Sequence, residues 1–138
     1  MDKITLTELF ARHCKLLTED IAAETLKGKC RGAAKLAEVV KNLIELYAKI
    51  VDISAEKADE LLFNEACGKC SHGVWYAVVE ERLPFSETFA HFSRFVNTHL
   101  DKEDWDGLNN AFEATVIFAE WKHLSYDEAA IRLMNKAA

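Results

Sequence analysis

The chain has 138 residues, half of them hydrophobic and 29% charged, and a net charge of −6. That length suits one domain able to bury a core without disulfides or metal, and that apolar content excludes disorder. One proline and five glycines are too few to punctuate an all-β chain, and no apolar run approaches the ~20 residues of a membrane-spanning helix.

What remains is an all-α, single-domain bundle of about six or seven helices over residues 1–138, built on long segments rich in Ala, Leu, Glu and Lys. Met1-Asp2-Lys3-Ile4-Thr5 lacks the basic and apolar layout of a signal peptide, so a cytoplasmic chain with its four cysteines reduced is expected. Charge is uneven. Residues 1–50 carry nine Lys and Arg against seven Asp and Glu, a balance of +2, whereas residues 51–138 stand at −8. The later part repels nucleic-acid phosphate and attracts a basic protein surface.

In chain order, Thr5 and Glu8 form a capping-box pattern ahead of a helix over 5–27, whose stripe is Leu6, Leu9, Phe10, His13, Leu16 and Leu17. His13 lies on the apolar side, where a core-edge histidine bonded to a neighbour is expected rather than a ligand. Gly28 stops that helix, and Lys27, Lys29, Arg31 and Lys35 suit its carbonyl end. The same four cations are the candidate contact to a nucleic-acid backbone, although no aromatic interleaves them.

A second helix runs from Ala33 to about Val51, with Leu36, Val40, Leu43, Ile44, Tyr47 and Val51 on one face. Ser54 caps a third, Ala55 to about Ala66. Val74–Val79 reads as a buried helix continuing to Arg82, because a lone strand would leave its backbone unpaired, and Leu83-Pro84 ends it. Ser86 is the expected cap of a fifth helix, along which Phe89, Phe92, Phe95 and Val96 form a stripe flanked by His91 and His99. Asp101–Asp106 places carboxylates at the start of a sixth helix. In that helix Trp105, Leu108, Phe112, Val116 and Ala119 are the expected packing face, while Ile117, Phe118 and Trp121 point elsewhere. Such a helix is central, or one side of it meets a partner or a second copy. Ser125 and Glu128 open the last helix.

Three constellations carry candidate chemistry. Cys67-x2-Cys70 with His72 has zinc-knuckle spacing, with Cys30, Cys14 or His13 as the fourth donor a structural site needs. A thioredoxin-type use of the pair lacks its strand, and Ser71 stands where haem attachment needs histidine. Glu120 and His123, with Glu113 a heptad earlier, make one half of a di-iron pattern that needs two. The phosphate-loop, dinucleotide, zinc-protease and nucleophile-elbow signatures do not occur.

The reading is therefore a noncatalytic, acidic interaction protein without a cofactor. It binds and regulates, inhibits or assembles with a larger macromolecular partner bearing a basic surface, such as a nucleic-acid-processing complex. Asp101, Glu103, Asp104, Trp105 and Asp106 are the contact patch, an aromatic anchor in a charged rim. The alternatives are a nucleoprotein subunit using Lys27, Lys29, Arg31 and Lys35, and a zinc-stabilised or thiol-redox protein using Cys67, Cys70 and His72.

Overall fold

A computed structural model describes residues 4–67 and 82–136, which form six α-helices and, among the described residues, no strand. They are α1 (Leu6–Leu26), α2 (Cys30–Val51), α3 (Ala55–Ala66), α4 (Phe85–Leu100), α5 (Trp105–Lys122) and α6 (Tyr126–Met134). The helix read over Val74–Arg82 falls almost wholly outside the described residues, as do Cys70 and His72.

Most boundaries follow from side-chain oxygens that take the free amides of a first turn. Thr5 Oγ1 accepts from the Glu8 amide at 3.1 Å, Ser54 Oγ from Lys57 at 3.1 Å, Asp104 Oδ1 from Gly107 at 2.6 Å and Ser125 Oγ from Glu128 at 3.2 Å. One expected cap is wrong. Pro84 is the residue before α4, which begins at Phe85, so Ser86 lies inside the first turn and makes no cap. Proline fixes the backbone angle entering the helix and needs no oxygen partner of its own. Gly28 ends α1 in the left-handed region at φ 76°, and Asp52 and His123 end α2 and α5 in the same conformation.

The six helices share one core. Phe10 of α1, Tyr47 of α2, Phe92 of α4 and Phe118 of α5 meet at its centre, with ring separations of 5.3 Å for Phe10 and Tyr47, 6.0 Å for Phe10 and Phe92, and 5.4 Å for Phe92 and Phe118. The buried Tyr47 hydroxyl shares a 2.7 Å hydrogen bond with that of Thr7, so both hydroxyls are satisfied inside the core. α1 lies on α2 and α3, α4 on α5, and α6 is held against α4 and α5. α6 is short and needs an anchor. The Leu133 carbonyl at its end accepts from Ser93 Oγ at 2.7 Å and from Asn97 Nδ2 at 3.0 Å.

The packing face of α5 differs from the expected one. Its buried side is Gly107, Asn110, Ala111, Ala114, Thr115, Ile117, Phe118 and Ala119; of the expected face Ala119 is buried and Val116 half-buried, while Trp105, Leu108 and Phe112 are about half exposed. Small residues at 107, 111 and 114 let α5 approach the other helices closely, which turns the larger apolar residues at 105, 108 and 112 outward. At Gly107 the approach is closest: a Cβ there would fall onto the His99 carbonyl oxygen and lie 3.0 Å from Asp104 Oδ1.

Candidate functional site

The basic and acidic segments, some seventy residues apart in sequence, come to face each other. Arg31 and Lys35 lie in the first turns of α2, and Asp104 and Asp106 at the start of α5, on opposite walls of an open cleft of about 380 Å³. The Lys35 ammonium lies 5.0 Å from the centre of the Trp105 ring, a cation–π contact that ties the two walls together. Lys27 and Lys29 stay outside, exposed at the α1–α2 turn, and Asp101 and Glu103 are exposed between α4 and α5. The two patches expected to act separately therefore neutralise each other in part.

Placement of the cations also differs from expectation. Lys27 and Lys29 do sit at the carbonyl end of α1, but Arg31 and Lys35 sit near the amide end of α2, where the helix dipole disfavours positive charge and where α2 has no acidic residue in its first turn.

The floor of the cleft is polar. Asn42 of α2 donates to Asn110 Oδ1 at 3.1 Å, and Asn110 Nδ2 donates to the Asp106 carbonyl at 2.7 Å. Beside them lie two buried atoms with no hydrogen-bond partner among the described residues, His99 Nδ1 and Asp106 Oδ1. Burial, followed by the nearby Lys102, holds the His99 pKa below 6.5, so its ring is neutral at pH 7. His99 and Asn42 are shared with a second cleft along α2 and α4, lined also by Lys49, His91, Arg94 and Phe95. Composition and periodicity missed Asn42, Asn110 and His99 as one group; the His91, Phe95, His99 spacing was its only trace in the sequence.

A second feature is the outward ridge of α5. Trp105, Leu108 and Phe112 are 52%, 57% and 49% exposed, and Phe112 meets Tyr126 of α6, itself 43% exposed, at 5.4 Å between rings. The spacing of three and four places the α5 residues on one line about 10 Å long. Exposed carboxylates stand at both ends, Asp101, Glu103 and Asp104 before Trp105, and Asp127 and Glu128 after Tyr126.

His13 is bonded as the sequence suggested, and its partners come from α5. Nδ1 lies 2.9 Å from Glu113 Oε2 and Nε2 lies 3.1 Å from Glu120 Oε1. The two glutamates read as half a di-iron pattern with His123 instead hold this imidazole between them, whereas His123 is an exposed helix cap. With both ring nitrogens engaged, His13 has no lone pair left for a metal.

Cys67 is exposed at the end of α3, and Cys30 is exposed at the start of α2. Cys14 is buried, and burial first, then the charges of Asp59 and Glu113, push its pKa up to about 12. It is a thiol at neutral pH, a poor metal ligand and nucleophile. No group of three His, Cys, Asp or Glu suited to a metal occurs among the described residues, and none of their helices is long and apolar enough to cross a membrane.

No protein-family model, no curated protein and no solved structure matches the chain.

Proposed function

We propose that this is a noncatalytic binding protein that docks a basic, amphipathic segment of a larger macromolecular partner on the outer face of α5. The observation that carries this reading is the ridge of Trp105, Leu108, Phe112 and Tyr126, half exposed and ringed by carboxylates. Large contiguous apolar surface at the edge of a folded domain is costly to leave in water, and aromatic anchors within a charged rim are the usual make-up of an interface core. The rim selects the occupant: Asp101, Glu103, Asp104, Asp127 and Glu128 attract lysines and arginines that flank an apolar stripe. Relative to the patch read from sequence, Leu108, Phe112 and Tyr126 join Trp105, and Asp106 turns toward the cleft.

A phosphate-backbone contact through Lys27, Lys29, Arg31 and Lys35 has less support. Arg31 and Lys35 line a cleft that also carries Asp104 and Asp106, which leaves two free-standing cations at the α1–α2 turn.

The test is affinity capture from the native host at physiological salt, comparing wild type with Leu108→Asp and with Asp101→Lys/Glu103→Lys. The partner captured by wild type is lost with Leu108→Asp and weakened by the charge reversal, more so at low salt than at high. Retention of every partner by both variants refutes the reading. A purified wild-type chain that sediments as a dimer, and becomes monomeric on Leu108→Asp, makes the ridge a seam between copies and also refutes it.

A further inference from the structure

We infer that Lys35 is an internal competitor for the docking ridge: its ammonium occupies Trp105, and a lysine or arginine of the basic partner binds there by displacing it. The inference rests on the docking reading above and adds its regulation.

Trp105 opens the ridge and carries its largest ring, and the fold shows which chemistry that ring accepts. The residue is 52% exposed, yet a positive group from a helix some seventy residues earlier already lies against its face, with Lys35 Nζ 5.0 Å from the ring centre. Of all side chains, an indole attracts a cation to its face most strongly. The carboxylates around the ridge draw lysines and arginines toward it, and the indole is where such a group gains something beyond charge attraction. Lys35 therefore stands where a cation of the partner belongs. The opposite face offers no way round it, because a second cation there faces the first across a single ring, and like charges so close repel.

Two features make the contact releasable. Lys35 makes no ion pair among the described residues, so the ring alone holds its ammonium. Glu38, Asp104 and Asp106 line the same cleft as Lys35. A displaced ammonium on its flexible four-carbon stem exchanges the ring for these carboxylates. One side chain thus has two places to rest, and they are the closed and open states of the anchor. An exposed cation–π contact is weak, so it lowers the partner's affinity by a factor of about two to five and does not block binding. It also discriminates. An apolar segment cannot replace the contact it displaces, whereas a segment with a cation over the ring can.

The probe is a synthetic amphipathic helix of leucines and arginines, titrated into the full chain by calorimetry. If wild type binds no peptide, or Leu108→Asp binds it equally well, the docking reading falls and this inference with it. Where Leu108→Asp abolishes binding, Lys35→Gln tightens it about two- to fivefold. Lys35→Arg keeps a cation on the ring and gives no gain. Lys27→Gln, the same loss of charge at the α1–α2 turn, gives none either. The gain survives at roughly 0.5 M salt, where separated charges are screened, and vanishes when Trp105→Ala is combined with Lys35→Gln, since the two residues act as a pair. Circular dichroism and melting check that each variant keeps its fold. The competitor is refuted, with docking left standing, if Leu108→Asp abolishes binding while Lys35→Gln binds no more tightly than wild type. It is refuted equally if Lys35→Arg or Lys27→Gln tightens binding as much, or if the gain persists without Trp105.

Discussion

Replacing His13 with alanine removes the centre of a three-residue bridge between α1 and α5. Carboxylate oxygens on both ring nitrogens require the imidazole to donate from both, which it does only as the cation. Burial alone would lower the His13 pKa, but the hydrogen bonds and charges of Glu113 and then Glu120 outweigh it and hold the value above 6.5. The Glu113 side chain is 19% exposed and loses its partner in the variant, while Glu120, at 39%, falls back on water. Losing one member of a fully buried pair costs ~3–5 kcal/mol, and solvent around Glu120 brings this one down to about 2–3 kcal/mol. At this chain length that is roughly 6–12 °C in melting midpoint. The sign with pH follows from the raised folded value. The contribution is full below 6.5, where His13 is charged in folded and unfolded chains alike. It disappears as pH rises through the folded pKa. Urea denaturation of wild type and His13→Ala across this range checks it. A difference that is flat, or that grows toward alkaline pH, or that stays under ~1 kcal/mol at its largest, refutes an ionised bridge.

Gly107→Ala drives a methyl group into the His99 backbone carbonyl and costs about 2–3 kcal/mol in urea unfolding; a neutral result means the α4–α5 corner is looser than its geometry. Trp105→Ala, by contrast, removes a half-exposed side chain and its cation–π contact with Lys35, and changes stability by no more than about 1 kcal/mol. A variant retaining Cys14 as its sole cysteine resists disulfide-exchange reagents until the chain unfolds, since about one molecule in 10⁵ carries the thiolate at pH 7. Variants retaining Cys30 or Cys67 alone are labelled while folded, and fast labelling of native Cys14 contradicts its packing against the core.

Helix positions were legible because they depend on neighbours in sequence: Thr5, Ser54 and Ser125 each cap a residue three ahead, and Gly28 ends α1 by its own backbone freedom. Ser86 failed because Pro84, two residues earlier, already sets the entry angle. The orientation of α5 was not legible. Hydrophobicity alone favoured Trp105, Leu108 and Phe112 as the packing face, whereas close approach favoured the small residues Gly107, Ala111 and Ala114, and the second requirement prevailed. The cleft was invisible for a related reason. Arg31 and Lys35 meet Asp106 and His99 only after α2 and α5 have packed, and no local pattern encodes a meeting of segments so far apart.

His13 and Glu113 are one hundred positions apart in the chain. A ribosome adding roughly 5–20 residues per second therefore releases α1 several seconds or more before the carboxylates that hold it exist. Through that interval Phe10 has Tyr47 beside it but lacks the Phe92 ring that later covers it. The first helix can therefore settle on α2 and α3, its larger packing surfaces, well before its ionic tie to α5 can close.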